Sequence, residues 1–255
     1  MKTRKVTLCC LMAVLMWTSC ASHYQLKSVS RSRILIDKRY DAKPDAAAAA
    51  FLAPYKHNVD SINAPVVGRT TKYMAADRPE AELSNLLPDI LVWGAQAFNE
   101  KPDFAVYNIG GIRAAFAKGD VTVGDVIDVA PFENKICFLT LTGDKVLELF
   151  QQIAKRGGEG LSKGVSMVIS KDLKLVSVQL NGQNIDPQAS YRLATLDYLA
   201  QGNDGMTAFK AGQNVVSPQE EKNNVRFIIM DYFREMARQG KAVDSNIEGR
   251  VKVQE

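Results

Sequence analysis

The sequence predicts an α+β fold in which a mixed β-sheet is packed against helices. Short apolar runs rich in β-branched and aromatic residues, bounded by turn residues, are typical of strands. Longer segments carry apolar residues at helical spacing. Strands and helices do not alternate strictly, which argues against a purely parallel sheet. The length of 255 residues fits one sizeable domain and an N-terminal appendage.

Residues 1–19 are predicted to be a signal peptide. A basic start is followed by the apolar run Val6–Trp17, which is too short to span a bilayer as a helix. The tripeptide that ends at Cys20 resembles a bacterial lipobox, in which the cysteine is acylated. Trp17 stands where the lipobox prefers leucine, so simple cleavage and an uncleaved anchor are alternatives. The prediction is a lipoprotein of the bacterial cell envelope, at the periplasmic or surface face of the outer membrane, whose only membrane contact is the lipid.

Charge and cysteine content give little sign of other partners. The net charge is +4, and three positive charges (Lys2, Arg4 and Lys5) lie in the predicted leader, which leaves about +1. There is no basic stripe with interleaved aromatic residues, so nucleic-acid binding is not supported. Of the four cysteines, only Cys137 lies beyond the leader and the lipidation site. It stands in an apolar run and is predicted to be inert packing.

Residues 20–64 are predicted to form a tether and an N-terminal helix. The tether continues into a strand or an extended arm that ends near Tyr40. Asp45 is predicted to cap a helix through the alanine run that follows. Pro54 is predicted to kink or split this helix, because proline cannot donate the backbone hydrogen bond at its position.

The domain is predicted to occupy residues 65–255. Its predicted strands are Val66–Lys72, Phe104–Tyr107, Ile136–Thr142, Val165–Ser170, Leu173–Leu180, Gln183–Ile185, Tyr191–Thr195 and Ile247–Val253. Asn181-Gly182 is predicted to be a hairpin turn. Its predicted helices are Glu82–Phe98, Gly143–Ala154 and Gln219–Arg238. Since proline is tolerated only in a first turn, Pro88 indicates that the first of these helices starts nearer Asn85.

The stretch around a glycine pair is the strongest candidate for a binding site. The predicted strand Phe104–Tyr107 ends at Asn108, and Gly110-Gly111 follow at once. Glycines there allow the backbone to adopt positive φ and let a ligand approach without a Cβ in the way. Arg113 could face an anion. The spacing is neither a dinucleotide fingerprint nor a P-loop, and an ordinary turn is the alternative.

Four segments together resemble the C-terminal domain of the 5′-nucleotidase family. They are Asn108–Arg113, Gly119–Thr122, Pro131–Asn134 and Tyr198–Gly205. They occur in the family's order and at compatible spacings, and the resemblance extends from about Val66 to Val253. It implies the fold of that domain and the binding of a nucleoside or nucleotide.

The resemblance also implies roles for individual residues. Phe132 and Tyr198 would sandwich the nucleobase, and Asn108 and Asn134 would bond to its edges. Asp204 would accept hydrogen bonds from the ribose hydroxyls. The complete predicted substrate-binding set is Asn108, Gly110, Gly111, Arg113, Phe132, Asn134, Tyr198 and Asp204.

Some of these roles rest on positions that depart from the family or have ordinary alternatives. The family commonly has phenylalanine at Tyr198, and the second glycine before the aspartate is Asn203 here, which tolerates positive φ. Arg113 would face the phosphate in the family, but could equally form a surface ion pair. Taken singly, Phe132 could belong to the core and Asp204 could be a turn residue.

A further segment, Pro79–Leu86, resembles the family's signature at the junction between its two domains. In the family, an arginine a few residues before the glutamate helps to hold the phosphate. Arg78 is therefore a candidate phosphate contact, although it stands one position closer than usual.

The full-length family couples this domain to a metallophosphoesterase domain that binds two metals. The two histidines, His23 and His57, lie apart and outside any cluster of Asp, His and Asn ligands. We therefore predict no catalytic residue and no metal or other cofactor in this chain. Divalent metals are expected on a separate metallophosphoesterase partner. The predicted function is the substrate-specificity part of a 5′-nucleotidase-type phosphohydrolase in nucleotide catabolism. The alternatives are a stand-alone nucleoside-binding lipoprotein and a structural remnant with a drifted pocket.

Overall fold

A computed structural model of the protein describes residues 24–39 and 44–254. The predicted leader, the lipidation site Cys20 and His23 lie outside the described residues. The chain divides into two compact units between Phe51 and Leu52. Within the described ranges, no helix is both long and apolar enough to cross a bilayer.

Residues 24–39 belong to the first unit and are exposed, with no strand among them. The helix Ala46–Asn63 begins in this unit and crosses the boundary. The Asp45 carboxylate accepts the N–H groups of Ala47 at 2.9 Å and Ala48 at 3.1 Å, which confirms the predicted cap. The helix runs unbroken through Pro54, so the predicted split is wrong. One missing N–H removes a single bond and leaves the neighbouring bonds in place.

The described elements, in chain order, are an α+β set, as predicted. The strands are β1 (Val66–Thr70), β2 (Phe104–Tyr107), β3 (Gly119–Thr122), β4 (Ile136–Thr142), β5 (Gly160–Leu161), β6 (Val165–Ile169), β7 (Leu175–Leu180), β8 (Gln183–Asn184), β9 (Ser190–Leu196), β10 (Gln213–Val216) and β11 (Val251–Val253). The helices are α1 (Ala46–Asn63), α2 (Glu82–Gly94), α3 (Val123–Val129), α4 (Gly143–Lys155), α5 (Asp197–Ala200) and α6 (Val225–Arg238).

A five-stranded sheet in the order β10-β4-β9-β2-β5 forms the centre of the second unit. Strand β4 is antiparallel to β9, β2 is parallel to β9, and β5 is antiparallel to β2. A second sheet among the described residues has the order β11-β6-β7-β8, and β1 pairs with β3 in a ribbon. Parallel and antiparallel pairs thus occur in one sheet, which is the mixed sheet expected.

Helices cover the central sheet through their apolar faces. In α4 the buried residues recur at helical spacing: Val146, Leu149, Phe150, Ile153 and Ala154. Phe150 stacks on Phe104 of β2 with ring centroids 5.5 Å apart. In α6, Phe233 packs edge-on against Phe116 at 5.1 Å. The first contact holds α4 on the central sheet, whereas Phe116 lies outside that sheet.

Helix α2 begins at Glu82, so the predicted later start near Asn85 is wrong. The Ser84 hydroxyl accepts the N–H of Ala81 at 2.8 Å and closes the first turn without a conventional cap residue. Pro88 lies inside the helix and cannot donate to the carbonyl of Ser84. A Cβ on Gly160 would lie 2.6 Å from that carbonyl oxygen, so this glycine lets β5 approach the defect closely.

Two predicted elements start too early. Helix α6 begins at Val225 rather than Gln219, because the preceding residues form a separate 3₁₀ turn, Glu221–Asn223. The last strand is Val251–Val253 rather than Ile247–Val253. The carboxylate of Glu80 accepts the N–H groups of residues 248 and 249, which therefore do not join the sheet.

The remaining predicted strands and helices are present, with ends that differ by a residue or two. Strand β1 ends at Thr70 rather than Lys72, and β7 begins at Leu175 rather than Leu173. The predicted hairpin turn is present, with Asn181 and Gly182 both at positive φ. The short elements β3, β5, β10, α3 and α5 had no counterpart in the predicted set. Cys137 is buried in β4, as predicted, and burial raises the pKa of its thiol.

Candidate ligand-binding site

The predicted site residues meet at one edge of the central sheet. Because β2 and β9 are parallel and β4 is antiparallel to β9, the ends of β2 and β9 lie beside the start of β4. Asn108 follows β2, Asn134 stands shortly before β4, and Tyr198 lies in α5 after β9. Residues far apart in the sequence are thereby brought together.

A cavity of about 220 Å³ opens at this edge. It is lined by Asn108, Gly110, Gly111, Phe132, Asn134, Arg156, Tyr198 and Asp204. Seven of these are residues that the sequence singled out, and Arg156 is an addition. The eighth predicted residue, Arg113, is exposed and lies outside the lining, where its Nη1 donates to the carbonyl of Gly110 at 3.2 Å.

The glycine pair forms a 3₁₀ turn, Ile109–Gly111, and neither glycine has a positive φ. The turn therefore does not use the left-handed conformation that glycine allows, and the reason for glycine is space. A Cβ on Gly111 would lie 2.7 Å from Oδ1 of Asn108. A Cβ on Gly110 would have no atom within 4 Å, so this residue leaves the cavity wall open.

The two aromatic rings stand at the cavity's rim and remain accessible. Phe132 is 49% exposed and Tyr198 is 36% exposed. The loop that carries Phe132 is held by the start of α6: Arg226 donates to the carbonyl of Pro131 at 2.8 Å, and Val225 N–H donates to that of Asn134 at 2.9 Å. Exposed aromatic faces fixed by backbone contacts provide a stacking surface for a planar ligand.

Asp197 joins the two segments that carry the rings. Its Oδ1 accepts the N–H of Lys135 at 3.0 Å and the N–H of Tyr198 at 2.8 Å. Its own N–H donates to the carbonyl of Lys135 at 2.9 Å. The start of α5 is thus bonded to the loop after Phe132, which fixes the placement of one ring relative to the other.

Asp204 lies in a tight loop with an uncommon backbone conformation. Its φ is 55°, and Gly202 and Gly205 on either side have φ of 80° and 73°. Asn203 does not have a positive φ, so the sequence-based reason for tolerating it was wrong. Its amide instead donates to the carbonyl of Tyr198 at 2.8 Å and closes the loop.

The carboxylate of Asp204 is held by three neighbours in the cavity. Asn108 donates to Oδ2 at 2.8 Å, the Tyr198 hydroxyl donates to Oδ1 at 3.1 Å, and Arg156 lies 3.6 Å from Oδ2. The bond to Asp204 is the main cause that raises the pKa of Tyr198 above its ordinary value. Asn108 is buried, and its Oδ1 has no hydrogen-bond partner among the described residues.

Glu159 is a buried carboxylate beneath the cavity that sequence reasoning did not identify. Its side chain is fully buried, and its Oε1 pairs with Arg78 at 2.6 Å and with Arg156. Its Oε2 accepts the N–H of Ile109 at 2.6 Å, so it also holds the glycine turn. In the sequence, Arg156 and Glu159 flank two glycines directly after a predicted helix, which is the one local sign of this group. The pairing of β5 with β2 brings both side chains to the cavity.

The two arginines on Glu159 face different surroundings. Arg78 also donates to the carbonyl of Gly158 at 2.9 Å and lies outside the cavity lining. Arg156 lies in the lining, where burial lowers its pKa. The bond to Glu159 and the negative charges of Glu159 and Asp204 together outweigh burial, so the pKa is raised and the group stays charged. The structure therefore gives the cavity a cation that was not in the predicted set.

The described residues contain no group of three or more histidine, cysteine or acidic side chains that could hold a metal ion. His57 is exposed on α1. The string Gly160–Gly164 has the spacing of a serine-hydrolase motif, but Ser162 is buried and its Oγ accepts the N–H of Ala105 at 2.8 Å. The cavity presents aromatic rings, amides, one carboxylate and one guanidinium, which are groups that can bind a ligand.

Comparison with known proteins identifies the family. A profile described as "5′-nucleotidase, C-terminal domain" matches residues 66–211. Protein UshA of Escherichia coli (strain K12) is 30% identical over 160 residues, which are 61% of this chain and 29% of that protein. A 5′-nucleotidase of Vibrio vulnificus (strain CMCP6) is 26% identical over 219 residues, 84% of this chain and 38% of that protein.

Solved structures agree with the sequence relatives. The crystal structure of a 5′-nucleotidase precursor from Thermus thermophilus superposes with a TM-score of 0.71 at 26% identity, covering 84% of this chain and 44% of that one. The chain thus spans less than half the length of each of these three relatives, between 29% and 44%.

Proposed function

The chain belongs to the 5′-nucleotidase family, through that family's C-terminal domain, and we propose that its cavity binds a nucleoside or nucleotide. The observation that carries the proposal is the assembly around one cavity of seven predicted residues that come from separate segments of the chain. Exposed rings, amides and a carboxylate lie together there, as a base and a sugar require.

In the proposed complex the base stacks on Phe132 and Tyr198. In proteins that bind single-stranded nucleic acids, stacking of one base on an aromatic side chain contributes about 1–3 kcal/mol. Asn108 and Asn134 supply amides on the same wall, and Asp204 accepts from the sugar hydroxyls. Gly110 leaves room for the ligand. Arg113 and Arg78 are kept as candidate phosphate contacts outside the lining.

Binding is tested by titrating the full-length protein, in detergent, with adenosine and with AMP in a calorimeter. Saturable binding that is lost in Asp204→Ala and reduced in Asp204→Asn is the expected result. Asparagine tolerates the left-handed conformation, so the loop should fold as in the wild type. Because the charge is lost, weaker binding in this variant reports on the ligand contact of the carboxylate. Absence of heat with either ligand on folded protein would contradict the proposal.

We further propose that this chain orients substrate for a separate metallophosphoesterase. Hydrolysis of a phosphate ester by that route needs two clamped metal ions, and orientation of the substrate is the contribution a binding domain can make. The absence of a metal-binding cluster from the described residues supports this division. Co-purification should recover a metallophosphoesterase whose nucleotidase activity rises when this chain is added.

The second candidate is a stand-alone nucleoside-binding lipoprotein. One observation favours it: the aromatic rings, amides and carboxylate that a nucleoside requires all lie in this domain. Affinity for nucleosides without any effect on a co-purified phosphatase would distinguish it from the first candidate.

Attachment to the cell envelope through Cys20 is also a proposal, supported by the leader and the lipobox-like tripeptide. Cells supplied with labelled palmitate should label the wild-type protein and not Cys20→Ser. Incorporation of the label into Cys20→Ser would contradict the proposal that Cys20 is the lipidated residue.

A further inference from the structure

Arg156 is the lining residue that the proposed function leaves without a role. It follows the last residue of α4, and its side chain is 30% exposed in the cavity wall. Its Nη2 lies 3.6 Å from Oδ2 of Asp204, which is beyond a hydrogen bond but within an ion pair. A cation and a carboxylate therefore stand side by side on one wall.

The buried carboxylate of Glu159 fixes the orientation of this guanidinium. It accepts from Nε of Arg156, while its other oxygen accepts the N–H of Ile109 at 2.6 Å. The guanidinium is planar and rigid, so holding Nε leaves the terminal nitrogens directed toward Asp204 and the cavity. A lysine has a single ammonium group and could not contact both Glu159 and Asp204 with this fixed geometry.

This pair of groups matches the chemistry of a vicinal diol. Each hydroxyl of a diol donates one hydrogen bond and also accepts, whereas a carboxylate only accepts and a guanidinium only donates. Each oxygen of Asp204 already accepts one protein hydrogen bond, from Tyr198 or from Asn108, and retains capacity for another. Asp204 can thus accept from both hydroxyls while Arg156 donates to their oxygens.

We propose that Arg156 is a specificity-determining residue that acts with Asp204 to select ligands bearing a vicinal cis-diol. The inference rests on the proposed function, since it deepens nucleoside binding into selection of the ribose form over deoxyribose forms. Glu159 is a positioning residue that acts through Arg156.

The neighbouring cations are not alternatives for this role. Arg113 lies outside the lining and donates to a backbone carbonyl. Arg78 also lies outside the lining, where it is bonded to Glu159 and to the carbonyl of Gly158. Lys155 is exposed and lies at a separate surface depression, so it provides a matched control for loss of one positive charge.

The test compares adenosine with 2′,3′-dideoxyadenosine, which keeps the base and lacks both hydroxyls. Dissociation constants of the full-length protein are measured by ligand-observed NMR, which reaches the millimolar range. Arg156→Met should weaken adenosine about tenfold, since a hydrogen bond from a charged group contributes roughly 1.5 kcal/mol or more. Dideoxyadenosine affinity should stay within about twofold, and Lys155→Met should change neither.

Equal weakening of both ligands in Arg156→Met would show a structural role and overturn the proposal, while nucleoside binding itself would stand. Arg156→Lys should bind adenosine no more than about threefold more tightly than Arg156→Met does. Wild-type affinity in Arg156→Lys would show that positive charge alone matters and would contradict the role given to the planar guanidinium. Failure of the wild-type protein to bind adenosine would overturn both this inference and the proposed function.

Discussion

Asp204 occupies a backbone region that few non-glycine residues adopt, with φ of 55°. Such conformations cost of order 1 kcal/mol or more and persist where the surroundings hold them. Here the carboxylate is held by Asn108 and Tyr198, and the loop by the amide of Asn203. The residue in this costly conformation is also the proposed ligand contact. Gly202 and Gly205, which adopt positive φ without strain, let the loop hold Asp204 in that position.

Tyr198 should titrate at a higher pH than an ordinary tyrosine, chiefly because its hydroxyl donates to the Asp204 carboxylate. That bond stabilises the protonated phenol, so its stabilising effect is present below the ordinary pKa of 10.0 and is lost as pH rises through the raised value. In Asp204→Asn the pKa of Tyr198 should fall toward 10.0.

The measurement is ultraviolet difference titration of the wild type and Asp204→Asn, with Tyr198→Phe used to assign the signal. An unchanged pKa in Asp204→Asn would show that the hydroxyl is not bonded to this carboxylate.

Gly111 and Gly110 should respond differently to alanine. A methyl at Gly111 would lie 2.7 Å from Oδ1 and 3.1 Å from Nδ2 of Asn108, a short side chain that is buried and cannot retreat far. Gly111→Ala should lower the free energy of unfolding by about 1–3 kcal/mol and weaken ligand binding, because Asn108 would lose Asp204.

Gly110→Ala is the matched control, because no atom lies within 4 Å of its added Cβ. Its free energy of unfolding should stay within about 0.5 kcal/mol of the wild type in urea titrations. Equal stability of the two variants would contradict the packing reason given for Gly111.

At the scale of elements, α5 and the loop before β4 form one unit through Asp197. Asp197→Ala removes the acceptor shared by the N–H groups of Lys135 and Tyr198. We expect the free energy of unfolding to fall by about 1–3 kcal/mol, and adenosine affinity to fall because the rings lose their fixed spacing. Thermal melts and binding titrations measure the two effects.

Asp197→Asn retains one acceptor oxygen and should recover most of the binding. A variant Asp197→Ala with wild-type affinity would show that the ring spacing is set elsewhere, for example by the contacts of α6 with Pro131 and Asn134.

At the scale of the whole molecule, Glu80 ties the C-terminal segment to the start of α2. Its Oε1 accepts from the Asn85 amide at 2.6 Å, from Glu248 N–H at 2.8 Å and from Gly249 N–H at 3.1 Å. Burial raises the pKa of Glu80, but the bond from Asn85 and backbone bonds from the C-terminal segment, beginning with Glu248, together lower it below the ordinary 4.5. Residues more than 160 apart in sequence thus depend on one ionised carboxylate.

Glu80 should make the fold sensitive to acid. Since its folded-state pKa is lowered, the ionised group stabilises the fold above pH 4.5, and this is lost as pH falls through the folded value. Glu80→Gln should lower the free energy of unfolding near neutral pH by about 1–2 kcal/mol and reduce its fall in acid.

Urea unfolding at a series of pH values measures this effect, with the exposed carboxylate variant Glu221→Gln as the control. The same acid dependence in the wild type and Glu80→Gln would assign the sensitivity to other carboxylates.

Elements with strong local signals could be predicted from the amino-acid sequence. Strand β2, the hairpin at Asn181-Gly182 and the amphipathic helix α4 follow from short-range periodicity and turn chemistry. The start of α6 and the length of β11 did not, because Asn134 and Glu80 contact them from distant parts of the chain. The start of α2 was missed for a local reason, since the Ser84 hydroxyl closes a first turn that has no conventional cap residue.

For the site, the sequence supplied the residue types, and their likeness to a known family supplied the grouping. Which of them line the cavity follows from the folded chain, because strand pairing sets which loops lie at the same end of the sheet. It left Arg113 outside and brought in Arg156 and Glu159, which precede β5 and reach the cavity through its antiparallel pairing with β2. No local pattern encodes that pairing, since it depends on residues about 50 apart in sequence.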